Sequence, residues 1–82
     1  MEKTLKQFVP GETGIVVRLT TDGAVKRRLF DMGITPGATI TMRKTAPLGD
    51  PIEITVRGYE LSLRKAESES IIMNVSEGGK QA

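Results

Sequence analysis

The chain has 82 residues, of which 38% are hydrophobic and 27% are charged, and its formal net charge is +2. This length holds one small domain, and the composition is typical of a folded protein and not of a disordered one. Because the sequence contains no Cys and no His, it excludes disulfides, thiolate nucleophiles and the imidazole ligands of the usual zinc, copper and haem sites. The small net charge gives no indication of a nucleic-acid partner.

The first predicted strand is 15–19, where the alternation puts Ile15, Val17 and Leu19 on one inward face. It follows Pro10-Gly11, and a second such pair, Pro36-Gly37, comes before the next strand. Both pairs suit the centre of a type II turn, because Pro sets the first φ and Gly accepts the positive second φ.

One segment, 24–32, breaks the alternation. Val25, Leu29 and Met32 lie at i, i+4 and i+7, which predicts an amphipathic helix of about two turns. Ser, Thr and Asp commonly cap the start of a helix, and Gly or Pro commonly follows its end. Residues of both kinds flank this segment as boundary candidates. These candidates are Thr21 and Asp22 before the helix and Gly33, Ile34 and Pro36 after it.

The remaining strands follow the same period-2 pattern. The strand 39–43 has Ile40 and Met42 inward, and Gly58 supplies the tight turn of a hairpin between 52–57 and 59–64. The predicted inward residues of this hairpin are Ile52, Ile54, Val56, Tyr59, Leu61 and Leu63. After one helical turn within 65–70, a last strand is expected at 71–75.

These elements predict a mainly β protein, a small SH3-like barrel of about five strands with one short helix between the first and second strands. A closed or nearly closed barrel removes the exposed edges that an open sheet leaves. We expect one domain over residues 1–76 and a flexible C-terminal tail at 77–82, because that tail offers little to bury. At least two of the scattered aromatic residues Phe8, Phe30 and Tyr59 are expected in the core.

No catalytic site or metal site is predicted, since the carboxylates lack the spacing of a calcium loop or a paired-acid site and no glycine-rich phosphate motif occurs. Two features could bind a partner. Lys26, Arg27 and Arg28 are the densest basic cluster and would project from the helix, either as a solvated face or as a contact for an acidic partner. Leu48 lies in a turn-rich loop, where it either covers the barrel mouth or anchors in a partner's pocket.

Three segments carry a family resemblance: RRLFDMGITPGA at 27–38, APLGDPI at 46–52 and GYELSLRK at 58–65. In order, spacing and turn residues they resemble the FeoA family over residues 4–76. The resemblance implies an SH3-like barrel of the kind also found as the last domain of iron-dependent repressors. It also implies a small cytoplasmic accessory of bacterial ferrous iron uptake.

By the same resemblance, the expected partner is the cytoplasmic domain of a GTP-dependent ferrous iron permease of the FeoB type. From the basic helix and the turn-rich loop, we expect Lys26, Arg27, Arg28 and Leu48 to contact it. The chain would be no enzyme, would need no cofactor and would not be embedded in the membrane, since no apolar stretch approaches the roughly 20 residues of a span. Self-association through an uncovered strand stays open. Two alternatives are a nucleic-acid-binding barrel and a weak transition-metal-binding or sensing domain. Nucleic acid is not among the expected partners.

Overall fold

The computed structural model describes residues 2–47 and 50–75. The C-terminal tail expected at 77–82, and residue 76 where the domain was expected to end, lie outside the described residues. Along the chain the elements are β1 (Glu2–Thr4), a 3-10 helix (Leu5–Gln7), β2 (Thr13–Leu19), α1 (Gly23–Asp31), β3 (Thr39–Thr45), β4 (Ile52–Val56), β5 (Tyr59–Leu63), α2 (Lys65–Ser68) and β6 (Ile71–Asn74).

The strands form one antiparallel sheet in the order β1-β6-β2-β3-β4-β5. The mainly β class is confirmed, and so is a helix between the first two strands that the alternation predicts, β2 and β3. The described residues hold six strands, one more than expected, because β1 pairs with β6. This strand, Glu2–Thr4, contains no apolar side chain, so only its pairing with a distant segment reveals it.

The core of the described residues is built mainly by side chains on one face of the sheet. Ile40 and Met42 of β3 are buried, as are Ile52, Ile54 and Val56 of β4, which confirms the inward face predicted for both strands. Burying one such side chain is worth about 1.5–3 kcal/mol. The other buried hydrophobic residues are Leu5, Phe8, Val16, Leu29, Ile34, Ala38, Leu63, Ile71 and Met73.

The inward face expected for β2 is wrong at Ile15 and right at Leu19. Val16 is only 2% exposed, whereas Ile15 is 49% exposed. A bulge interrupts the pairing of β2 with β6 between Val16 and Arg18, so Leu19 still packs against the core. Because a bulge adds one residue to one strand, it reverses which residues face inward on its two sides. A uniform alternation through the strand therefore assigns Ile15 to the wrong face.

The aromatic residues are also placed differently from the prediction. Phe8 is buried, but Phe30 is 40% exposed and Tyr59 is 70% exposed. Tyr59 begins β5, which has a neighbouring strand on one side only, so less of the sheet covers it. Phe8 fits the core because Gly14 lacks a side chain, since a Cβ at position 14 would lie 2.8 Å from Cζ of Phe8.

Both Pro-Gly pairs form the expected turns. Gly11 and Gly37 have φ of +93° and +94°. The closing hydrogen bonds run from the Glu12 N–H to the Val9 carbonyl at 3.0 Å and from the Ala38 N–H to the Thr35 carbonyl at 2.9 Å. These features define type II turns, and the second one leads the chain from the end of α1 back into the sheet.

Candidate docking surface

α1 ends in a well-defined cap. The Ile34 N–H donates to the Leu29 carbonyl at 3.0 Å, and the Gly33 N–H donates to the Phe30 carbonyl at 2.9 Å. Gly33 has φ +91°, the left-handed conformation that this Schellman arrangement requires, and Ile34 is fully buried. The predicted helix end is therefore confirmed, and it anchors α1 to the core.

α1 itself is almost entirely exposed. Leu29 is its one buried residue, and the whole helix lies within the described range 2–47. Of the predicted apolar stripe, Met32 is partly buried and packs against the core, but Val25 is 41% exposed. The helix thus rests on the sheet through a narrow contact and presents most of its surface to solvent.

The three basic residues of α1 are all exposed but differ in their contacts. Nη1 of Arg28 lies 2.8 Å from Oε2 of Glu67 in α2. Nζ of Lys26 lies 5.7 Å from the centre of the Phe30 ring, within range of a cation–π contact. Arg27 has no ion pair with a described residue.

Leu48 lies outside the described residues, and in its loop hydrogen bonds hold Ala46, Asp50 and Pro51 on either side of it. The Ala46 N–H donates to the Pro51 carbonyl at 3.0 Å. Oδ1 of Asp50 accepts a hydrogen bond of 2.9 Å from the Lys65 N–H at the start of α2. The structure therefore places the end of this loop against α2.

Glu67 joins the two helices. It is buried, and its Oε1 accepts a hydrogen bond of 2.9 Å from the Arg64 N–H while its Oε2 meets Arg28. The first bond satisfies a backbone donor that helix geometry leaves unpaired at the start of α2. The second holds α1 against α2, so one carboxylate positions both elements.

These contacts border a cleft of about 390 Å³ between α1, β5, α2 and the loop before β4. The residues that line it are Arg28, Asp50, Pro51, Ser62, Leu63, Arg64 and Glu67. Of the residues predicted from the sequence to bind a partner, Arg28 lines this cleft, and it does so together with Asp50 and Pro51. Arg64 and Glu67 were not predicted, and the available signal was a Glu in the first turn of a short helix.

A second ion pair lies at the opposite end of α2. Oε2 of Glu69 lies 2.9 Å from Nζ of Lys6 in the 3-10 helix. The hydrogen bond from Lys6, followed by its positive charge, lowers the pKa of Glu69. In the same way the hydrogen bond from Lys3 lowers the pKa of Glu12.

Two other findings concern the residues that the structure describes. Within 2–47 and 50–75, no three Asp or Glu side chains are grouped as ligands for a metal ion. In the same ranges, neither helix has the length and hydrophobicity needed to cross a membrane.

The fold and this surface define a class of small barrel domain with an exposed basic helix beside a charged cleft. The family profile described as the FeoA domain matches residues 3–75. An iron(II) transport protein A from Clostridium thermocellum has a solution structure with 36% identity and a TM-score of 0.88, covering 93% of this chain and 47% of that one. The chain therefore belongs to the FeoA family.

A curated relative is the Fe(2+) transport protein A/Fe(2+) transporter FeoB fusion protein of Porphyromonas gingivalis. It is 33% identical over 67 residues, which cover 82% of this chain and 8% of the relative. The chain thus spans a small part of the length of that relative.

Two further solved structures bear on the fold alone. The crystal structure of Stenotrophomonas maltophilia FeoA with zinc, described as an SH3 domain protein, has a TM-score of 0.77 at 22% identity and covers 88% of this chain and 89% of that one. A manganese-dependent transcriptional repressor has a TM-score of 0.85 at 18% identity and covers 92% of this chain and 37% of that one. The SH3-like fold and its occurrence in metal-dependent repressors are confirmed.

Proposed function

We propose that the chain is a non-enzymatic, cytoplasmic accessory protein of ferrous iron uptake that acts by contact with a GTP-binding permease of the FeoB type. The observation that carries this proposal is the Porphyromonas gingivalis relative, in which a region similar to this chain shares one polypeptide with FeoB. Fusion raises the effective concentration of one module at the other, which is an advantage when the two modules bind each other. The same two modules would meet by diffusion when they are separate chains.

In this proposal the docking surface consists of Lys26, Arg27, Arg28 and Leu48. The exposure of α1 supports it, since a helix that buries one residue leaves its basic side chains available for another molecule. The hydrogen bond from the Lys65 N–H to Asp50 supports a fixed position for Asp50, two residues after Leu48 in the sequence. Rigid placement reduces the entropy lost on binding.

The test is binding of the whole chain to the immobilised cytoplasmic domain of the permease from the same organism. Arg27→Glu and Leu48→Asp should each weaken binding by about tenfold or more, which is the cost of losing one important interface contact. Arg18→Glu is the matched control, because Arg18 on β2 is another exposed arginine outside the proposed surface. Far-UV circular dichroism checks that each variant is folded.

Two results would contradict the proposal. The unmodified chain could fail to bind the permease domain, which would remove the partner. Alternatively, Arg27→Glu and Leu48→Asp could bind as well as Arg18→Glu, which would remove this surface and leave the partner in place.

A further inference from the structure

The cleft beside α1 contains two acidic side chains, and each of them accepts a hydrogen bond from the backbone of α2 or its N-cap. Oδ1 of Asp50 accepts from the Lys65 N–H at 2.9 Å. Both oxygens of Glu67 are engaged, one by the Arg64 N–H at 2.9 Å and the other by Arg28 at 2.8 Å. These carboxylates therefore serve the structure of the cleft. The Arg28 guanidinium compensates the charge of Glu67, whereas Asp50 accepts from a neutral backbone N–H.

The two arginines of the cleft still have donors to offer. A guanidinium has five N–H groups in a planar fork, and Arg28 uses one nitrogen for Glu67 while 59% of its side chain is exposed. Arg64 is exposed, and its guanidinium has no ion pair with any residue of 2–47 or 50–75. The free N–H donors of the cleft side chains therefore belong to its two arginines.

The cleft also borders a free strand edge. β5 is the last strand of the sheet on this side, and Ser62 in it lines the cleft. Val56 and Tyr59 flank the two-residue turn of the β4–β5 hairpin as a direct pair, so the alternating antiparallel pattern points the backbone N–H and carbonyl of Ser62 away from β4. These groups can pair with an extended segment.

The side chains of the cleft also argue against a proline-rich occupant. SH3 domains that bind polyproline segments do so in grooves lined by aromatic residues. The described residues that line this cleft include no aromatic side chain. Phe30 and Tyr59, which are exposed, are absent from its lining.

We infer that this cleft binds an extended acidic segment of the partner protein, with a carboxylate held by Arg28 and Arg64 and the peptide backbone running beside Ser62. The inference rests on the proposed function, since it assigns a binding mode to the same partner. It adds Arg64 and Ser62 to the surface and states the chemistry of the segment that they take. Arginine–carboxylate contacts of this kind are strong because they are charge-assisted and can be bidentate.

Fluorescence polarisation of the whole chain with a labelled peptide of alternating glutamate and serine tests this inference. A lysine–serine peptide and a proline-rich peptide of equal length are the controls. Only the acidic peptide should bind, and Arg64→Gln should weaken that binding by about tenfold, the effect expected for one charged hydrogen-bonded contact. Arg18→Gln should leave it unchanged. Arg64 is the sharper variant, because Arg28 also holds Glu67 and its loss disturbs the cleft.

The inference is overturned if Arg64→Gln binds the acidic peptide as tightly as the unmodified chain, or if the proline-rich peptide binds better than the acidic one. A second arm separates it from the proposed function: the acidic peptide is added to the complex of the chain with the permease domain. Displacement of that domain supports both. A stable complex that the peptide does not displace leaves the partner in place and overturns this cleft as its site.

Discussion

The two α-helices of this small domain differ in how they are held. α1 has nine residues and buries one of them, the apolar Leu29. α2 has four residues and buries two, and both are polar: Glu67 and Ser68. The longer helix is therefore attached by one buried apolar side chain and the Arg28–Glu67 contact, whereas hydrogen bonds at Lys65, Glu67 and Ser68 fix the shorter one.

The hydrogen bonds of α2 and its cap reach three neighbouring elements. Asp50 binds its first N–H from the loop before β4, Glu67 connects it to α1, and Glu69 connects it to the 3-10 helix. Within α2, Oγ of Ser68 donates to the Lys65 carbonyl at 2.7 Å. The difference between the helices shows a division of roles, in which α2 positions other elements and α1 presents side chains to solvent.

The largest loss of stability is expected for Leu29→Ala, which tests how α1 is attached to the core. It removes the one buried side chain of α1 and should lower the free energy of unfolding by about 2–5 kcal/mol, because the cavity adds to the lost transfer energy. Urea denaturation measures this change, and hydrogen exchange should show faster exchange of the α1 amides. Val25→Ala is the control in the same helix, and equal losses in the two variants would contradict an attachment through Leu29.

A smaller effect is expected for Glu67→Gln, which keeps an oxygen for the Arg64 N–H but loses the charge that holds Arg28. The free energy of unfolding should fall by about 1–2 kcal/mol, the range of a charged hydrogen bond that water screens on the Arg28 side. Glu60→Gln is the matched control, because Glu60 pairs with Arg43 at 3.6 Å on the exposed surface. A double-mutant cycle with Arg28→Gln isolates the pair, and a coupling energy near zero would contradict a link between the helices.

The smallest expected effect is the pH dependence of stability that comes from the Lys6–Glu69 contact. Because Lys6 lowers the pKa of Glu69, this contact stabilises the fold above the ordinary Glu pKa of about 4.3, and the contribution is lost as the pH falls through the lowered value. An NMR titration of the Glu69 carboxyl should give a pKa below the ordinary one. Lys6→Met should raise it again, whereas a Glu69 pKa that does not change in this variant would exclude Lys6 as the cause.

The strands show where the sequence pattern alone predicts which side chains face inward. In β3 and β4 the pairing is regular from Ile40 opposite Val56 to Met42 opposite Ile54, and the register shifts only after Met42. Both inward residues of β3 come before that shift, so simple alternation predicts the inward faces. In β2 the bulge after Val16 reverses the alternation. No local residue type announces this bulge, since it depends on how β2 pairs with β6 from the far end of the chain.

The candidate surface, like the strands, could be predicted from the sequence only in part. A basic helix and a turn-rich loop are visible as short segments, and the terminators Gly33 and Pro36 act locally. Arg28 and Asp50 line one cleft together with Glu67, and these three residues come from distant parts of the sequence. Spacing along the chain does not encode such a contact.

By itself, the sequence determined what nearby residues decide: the Pro-Gly turns, the helix cap at Gly33, the alternating faces of β3 and β4, and a chemistry without thiol or imidazole. Tertiary structure alone decided that Ile15 faces outward, that β1 pairs with β6 without any apolar pattern, and that Arg64 and Glu67 stand beside Arg28. Backbone conformation and side-chain period act over a few residues, whereas burial and charge pairing depend on which distant segments fold against each other.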